Sequence, residues 1–275
     1  MSFVYKYMGS SYIDFLENGL IRFTPPGDLN DPYECLPAFP EVDPIIQFEK
    51  TKRSLVQAGK PRIGDSQFIQ DQKIKRVIEG LQFMESKFKD NPFFFEEFAT
   101  DVNLAIANGA LGILSLSRRW NSCLMWSHYT KTYRGFCVGF DRKHKYFEGK
   151  KTSKGHMHKL TAVNYSETRI IMPEKKNELD GFDVFLTKSP DWSYEEEERL
   201  LSTFSLSDKK IHKEPYPIHL FKIPFEAIKE IIVGHLADDL TKRKAIEAGK
   251  RLDVPCYVTK ISRTTFDVER KLAEY

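Results

Sequence analysis

Asp191-Trp192-Ser193-Tyr194-Glu195-Glu196-Glu197-Glu198-Arg199-Leu200-Leu201 sets four consecutive carboxylates between aromatic rings and an arginine, then runs into a leucine pair. Read as a strand, successive side chains alternate faces, so Glu195, Glu197 and Arg199 point one way and Tyr194, Glu196 and Glu198 the other. Two carboxylates and a guanidinium on one face make a site in which an acid is held ionised by a cation. The competing reading is a solvated acidic helix turn, because glutamate is a good helix former and charge runs usually face water. The strand reading makes this stretch part of a β-rich core, and the segments around it point the same way.

Upstream, Phe3 to Tyr7 is aromatic and β-branched, as a short strand is. Ser10 or Ser11 can cap a helix over Tyr12 to Asn18, Gly19 suits its stop, and Leu20 to Thr24 forms a second strand. Pro25-Pro26-Gly27 and Asn30-Asp31-Pro32 are turns. From Ser66 to Lys87 the apolar residues fall near helical spacing, and Asn91-Pro92 opens another helix that Asn108-Gly109 should stop near Ala107. Strands return with Gly112 to Ser117, Gly135 to Phe140, Leu160 to Tyr165, Val184 to Lys188 and Tyr194 to Ser202. A short helix over Leu124 to Tyr129 interrupts them, Lys143 to Lys159 reads as a loop or hairpin, and a polar stretch carries Pro173-Glu174-Lys175-Lys176. His219 to Ile223, Ile231 to Val233, a helix from Asp239 to about Leu252 and Pro255 to Ile261 complete the chain. Strands mixed with short helices, without regular βαβ alternation, give an α+β class. The expected division is a mixed core over residues 1–40 and 109–275 with a helical insertion over 41–108.

The 275 residues are 41% hydrophobic and include 21 phenylalanines, which argues for a packed core and against disorder. No apolar run nears the roughly 18 residues of a membrane span, and Met1 to Tyr7 lacks signal-peptide anatomy, so a cytoplasmic protein with no membrane partner is expected. Cys35, Cys123, Cys137 and Cys256 form no CxxC pair, which speaks against a zinc ribbon or a disulfide framework; no metal site is expected. A net charge of +3 permits nucleic-acid contact without arguing for it.

Chemistry-bearing residues fall in three separated clusters. The first joins Tyr5-Lys6-Tyr7 to Asn30-Asp31-Pro32-Tyr33-Glu34; taken alone, Asn-Asp-Pro is an Asx-turn before a rigid proline. The second joins Ser115 and Ser117 to Met125-Trp126-Ser127-His128-Tyr129, where His128 suits proton transfer near neutrality, although a histidine among aromatic rings is more often a core residue. The third is the acidic stretch itself, with Lys188 just upstream.

In order, these motifs, together with Gly135-Phe136-Cys137-Val138-Gly139-Phe140-Asp141, resemble the hallmarks of the bacterial family called domain of unknown function 2971, from Val4 to about Val233 with the insertion excepted. Glu198 departs from that pattern, which has an aromatic residue there. The order of parts is also similar to that of ADP-ribosyltransferases. These begin with an aromatic- or basic-bearing strand that binds NAD, continue with a Ser-x-Ser strand and a helix packing on the nicotinamide, and end with a Glu-x-Glu strand. The resemblance implies an ADP-ribosyltransferase-like split β-sheet core with NAD as substrate. It gives catalytic roles to Glu197, Glu195 and His128, and NAD contacts to Tyr5, Lys6, Tyr7, Asn30, Asp31, Ser115, Ser117, Trp126, Tyr129 and Arg199. It further implies a toxin or antiphage effector, with RNA, DNA or a protein as acceptor and an antitoxin or other inhibitor protein as partner. Two rivals stand beside it: a metal-dependent nuclease using Asp31, Glu34, His128, Glu195 and Glu197, and a non-catalytic module that binds a nucleotide or a partner.

Overall fold

The computed structural model describes residues 2–38, 43–62, 64–152, 155–171 and 182–274. β1 (Phe3–Met8) leads through a 3-10 turn (Ser10–Tyr12) and the single turn of α1 (Phe15–Asn18) into β2 (Leu20–Phe23). α2 (Pro44–Ala58), α3 (Gln67–Asp90) and α4 (Phe94–Ala110) follow, then β3 (Leu111–Ser117), α5 (Cys123–Tyr129) and β4 (Phe136–Asp141). Next come β5 (Glu148–Thr152), β6 (Gly155–Lys159), β7 (Thr161–Ala162), β8 (Asn164–Tyr165) and β9 (Thr187–Lys188). A 3-10 segment (Pro190–Glu195) then feeds β10 (Glu197–Thr203). β11 (Lys209–Ile211), β12 (Ile218–Lys222), β13 (Ile228–Val233), α6 (Asp239–Leu252), β14 (Cys256–Ile261) and β15 (Val268–Leu272) close the chain.

The chain divides into two compact units. The first holds Met1–Leu36, Ile106–Ile170 and Leu179–Tyr275, and the second Pro37–Ala105 and Ile171–Glu178. In the second, Asp43 and Ser66 cap α2 and α3 by accepting from the amides of Ile45 and Ile69. Phe48 stacks on Phe88 at 4.4 Å, tying α2 to α3. The expected boundary at residue 40/41 and the stretch Pro173-Glu174-Lys175-Lys176 lie outside the described residues.

The first unit is built on an eight-stranded mixed sheet of order β15-β14-β13-β4-β1-β3-β10-β7. Only β13 and β14 within it run parallel, joined through α6. The period-two pattern sorts its residues. Val4, Met8, Leu114, Leu116, Phe136, Val138, Phe140 and Leu200 enter one apolar layer with Phe15, Leu16, Ala245 and Ala248. Tyr5, Tyr7 and Cys137 enter a second layer with Met125 and Trp126 of α5. Gly19 adopts φ 70° after α1, where a Cβ would sit 2.9 Å from the Ile223 carbonyl oxygen, so the stop read from the sequence has a steric reason.

One seam of the sheet decides where a ligand can enter. β1 pairs with β4 at six positions but with β3 only at Tyr5↔Ser117. Beyond that pair the two strands separate, and Ile113 bridges instead to Thr24, at the end of β2. β2 belongs to a second sheet of order β11-β12-β2. A continued ladder would set Tyr7 opposite Ser115. In its place the Lys6 ammonium reaches the Ser115 carbonyl at 3.0 Å.

Several expectations from the sequence are corrected. The strand read from Tyr194 begins at Glu197, because Pro190–Glu195 forms a 3-10 segment and Glu196 takes the left-handed conformation (φ 43°). Thus Glu195 is not on the strand face shared by Glu197 and Arg199. α4 runs through Asn108-Gly109 to Ala110. Asn108 does not cap the helix; its side chain accepts from the Gly27 amide and donates to the Tyr216 hydroxyl. The expected strand Leu160 to Tyr165 is two short pieces in different sheets, and the expected strand Val184 to Lys188 is a 3-10 turn (Asp183–Leu186) followed by the two residues of β9. Lys143 to Lys159, read as a loop or hairpin, does contain the β5–β6 hairpin, whose residues 153–154 lie outside the described residues. Among the described residues no helix is long and apolar enough to cross a membrane.

Candidate functional site

Every residue of β10 from Glu197 to Ser202 is buried. Burying alternate charged side chains is tolerable only when each finds a partner. Register with β3 sets Glu197 beside Ser117 and Arg199 beside Ser115, on the face away from Leu114 and Leu116. Arg199 is fully buried, and its Nε and Nη2 donate to Glu197 Oε1 and Oε2 at 2.8 and 3.0 Å. Its Nη1 donates to the Phe185 carbonyl at 2.6 Å, and Nη2 also forms an ion pair with Glu34. The opposite face carries Glu198, held by Arg142 Nε at 2.8 Å. The buried Glu198 is therefore satisfied on that face by an ion pair.

Lys188 is the hub. Its ammonium donates to Glu195 Oε2 at 2.7 Å and Glu197 Oε2 at 3.2 Å, lies 3.6 Å from Glu34 Oε1, and sits 4.6 Å over the Trp192 ring. The left-handed turn at Glu196 folds Glu195 back towards Lys188, so the two carboxylates meet on one cation without sharing a strand. Glu195 also accepts from the Tyr129 hydroxyl at 2.5 Å, and Asn30 donates to that same hydroxyl at 3.1 Å. Tyr165 accepts from the Glu197 amide at 2.9 Å, and the Ser117 hydroxyl donates to the Glu195 carbonyl at 2.6 Å.

A cavity of about 230 Å³ opens where β1 and β3 part. Tyr5, Lys6, Tyr7, Asn30, Ser115, Ser117, Tyr129, Glu195 and Glu197 all line it, so nine of the residues singled out in the sequence converge despite their separation. Four do not join them. Arg199 lies behind Glu197 as its ion-pair partner, and Asp31 lines a neighbouring cavity. Trp126 is fully buried, donates from Nε1 to the Trp120 carbonyl and meets Tyr7 edge-on, so it supports the wall without reaching the cavity. His128 is exposed with Leu124 and Ser127 on the outer face of α5, because Met125, Trp126 and Tyr129 take the inner one. Glu34, Glu195 and Glu197 are engaged by Lys188 and Arg199 while His128 stands apart, an arrangement that does not assemble the donor set of a nuclease metal site.

Burial sets the electrostatics. Desolvation raises the Glu197 pKa, and the Glu195 charge adds to the rise; Lys188 and a hydrogen bond from Ser115 oppose it. A carboxylate in two-point contact with a guanidinium stays ionised at neutral pH. Desolvation also pulls the Lys6 ammonium down to about 8, against the attraction of Glu197 and Glu195. The unfolded chain keeps the Lys6 proton up to the ordinary lysine value of 10.5, so the native state binds fewer protons between about 8 and 10.5. Native stability should therefore rise across that window relative to a Lys6→Met variant. Paired urea titrations over that pH range check this; parallel curves would mean the amine is not desolvated.

Tyr165 and the Phe185 carbonyl carried no legible signal in the sequence: one is a lone tyrosine in the two-residue strand β8 and the other a backbone group. Lys188 was legible only as a neighbour of the acidic stretch. Residues 125–200 match the model of a family described as a protein of unknown function (DUF2971), a stretch that contains Tyr129, Lys188, Glu195, Glu197 and Arg199. No curated protein and no solved structure matches the chain. The match supports the family resemblance carried by the motifs: from α5 into β10 the chain is similar to a family whose description names no activity.

Proposed function

We propose that this protein is an NAD-dependent ADP-ribosyltransferase-like enzyme. The observation that carries the reading is the meeting of Glu195 and Glu197 on Lys188 in the cavity at the seam of the sheet, beside Ser115, Ser117, Tyr5, Tyr7 and Tyr129. Cleavage of a nicotinamide–ribose bond builds positive charge at the ribose C1′, as glycoside cleavage does at its anomeric carbon. A fixed, desolvated carboxylate is the group that stabilises such charge, and Glu197 is fixed by three hydrogen bonds from two cations. Glu195, bonded to a phenol and an ammonium, is placed to take the proton of an incoming nucleophile. Tyr5, Tyr7 and Tyr129 offer aromatic walls to the nicotinamide, and Lys6 supplies positive charge for a phosphate.

The cavity lies just below the roughly 300–1,000 Å³ of sites for drug-sized ligands, so it suits the nicotinamide and its ribose, with the rest of the dinucleotide outside. A toxin or antiphage role, with RNA, DNA or protein as acceptor and an inhibitor protein as partner, follows from the family-level resemblance and belongs to this proposal. Incubation of the pure protein with NAD labelled in its adenylate half, plus nucleic acid or cell lysate, is expected to release nicotinamide and transfer label. Saturable NAD binding with no turnover against any acceptor or water would instead favour a non-catalytic nucleotide sensor.

A further inference from the structure

The second compact unit carries none of the residues of the candidate site. Its surface holds an arrangement that its own packing does not explain. Phe88 of α3 stacks on Phe48 of α2 and Met84 is buried, whereas Phe83 and Lys87, one turn apart, are exposed. The Lys87 ammonium lies 5.9 Å over the Phe83 ring. Phe83 meets Phe94 of α4 edge-on at 5.8 Å, and Phe94 stacks on Phe98 at 5.8 Å. These contacts make one continuous patch that crosses from α3 to α4. Phe83 is 53% exposed and Phe98 54%, and Phe93, just before α4, is 59% exposed. Aromatic rings more than half exposed along one patch form an apolar surface that a monomer seldom leaves to water.

The charges at the two ends of the patch are opposite. Lys87 closes the α3 end. At the α4 end Phe93, Glu97 and Asp101 line a depression of about 450 Å³. Glu97 accepts from the Asn91 side-chain amide at 2.8 Å, but among the described residues neither carboxylate, nor Lys87, is in an ion pair. α4 itself carries no lysine or arginine, so these carboxylates have no cation on their own helix. A cation, an aromatic strip and an anionic depression, in that order, form a surface complementary to itself. Turned by half a turn about an axis through the strip, a second copy sets its Lys87 against Glu97 and Asp101 of the first and receives the first copy's Lys87 in return. Because both ends lie on one patch, the two-fold closes and no open chain of copies follows.

We propose that this patch is a two-fold interface with a second copy of this chain, in which Phe83 and Phe98 pack across the axis and Lys87 pairs with Glu97 and Asp101 of the opposite copy. An aromatic centre with a charged rim is the usual anatomy of an interface, and one of this small extent fits a reversible dimer rather than an obligate one. The charges argue against the other occupants. A partner of one charge sign would be repelled at one end of the patch, and an anionic lipid surface would face both carboxylates.

Sedimentation velocity of the full chain over a range of concentrations should show a reversible monomer–dimer equilibrium, weakened as salt screens the charges at the rim. Phe83→Ser removes an exposed ring from the centre of the patch and should weaken the dimer about tenfold or more. Lys87→Glu and Asp101→Lys, made singly, should each weaken it, because like charges then face each other across the axis. Both changes in one chain, or the two single variants mixed in equal amounts, restore opposite charges at each end and should recover the dimer. A variant that had merely failed to fold could not be rescued in this way. A dimer indifferent to Phe83→Ser and to both charge reversals, or an assembly that grows past two copies, would overturn the proposal. So would a parent chain that is monomeric at every concentration. In that case flotation of the monomer with anionic vesicles would assign the patch to a lipid surface, and its absence would assign it to a different protein.

Discussion

Replacing Glu197 with glutamine should lower NAD turnover by on the order of 10²-fold or more, the usual loss when one electrostatic stabiliser of a transition state is removed. The change keeps the shape of the side chain and a hydrogen-bonding head but deletes the charge that would face the ribose C1′. Affinity for NAD should change far less, because the lost interaction strengthens mainly in the transition state. The structure adds a second expectation. Glu197 shares Arg199 and Lys188 with Glu34 and Glu195, so the variant keeps charged partners for both cations and should remain folded with a lowered melting temperature. Turnover and melting temperature must therefore be read on one preparation. A folded Glu197→Gln protein that consumes NAD at the parental rate would remove Glu197 from the chemistry. A loss that merely tracks the unfolded fraction would make it structural.

The largest effect on stability is expected at Arg199. Arg199→Met leaves a side chain of comparable bulk in a fully buried position but strips Glu197 of a two-point partner and Glu34 of its closest cation. Breaking a buried ion pair from one side costs about 3–5 kcal/mol, against a total domain stability of about 5–15 kcal/mol. Urea unfolding should show a midpoint lowered accordingly at an unchanged slope. Arg199→Lys should recover little, because a point charge cannot reproduce a fork that reaches both Glu197 oxygens and the Phe185 carbonyl together. Combining Arg199→Met with Glu197→Leu should cost less than the sum of the single changes, since the second removes the charge that the first leaves unpaired. A single variant as stable as the parent would mean the guanidinium is replaceable packing.

The sequence was most legible where chemistry is local. Gly19 ends α1 because only a left-handed residue without a Cβ fits there. Asp239–Leu252 was readable as a helix to its ends, with Asp238 capping the amide of Thr241. Alternation in Ser115-Leu116-Ser117 and in Glu197-Glu198-Arg199 assigned each residue to its face before any partner was known. Order along the chain was enough to bring Tyr5, Lys6, Tyr7, Asn30, Ser115, Ser117, Tyr129, Glu195 and Glu197 into one list, and they line one cavity.

What the sequence could not supply were relations among residues distant in the chain. Glu195 looked like a strand neighbour of Glu197 because period two is indifferent to a left-handed turn at Glu196, yet that turn is what carries Glu195 to Lys188. Trp126 and His128 were plausible ligand contacts by type, but which side of α5 faces inward is set by packing against Tyr7 and Tyr133. Lys188 and Glu34 became central only once the fold set them against Glu195, Glu197 and Arg199. By itself the sequence determined the longer helices, most of the strands of the main sheet and the faces within β3 and β10, since these depend on backbone sterics and hydrophobic period. The tertiary structure alone decided which charges are buried together, which rings line the cavity and where the sheet opens, because burial and ion pairing are properties of contacts between segments that no local pattern encodes.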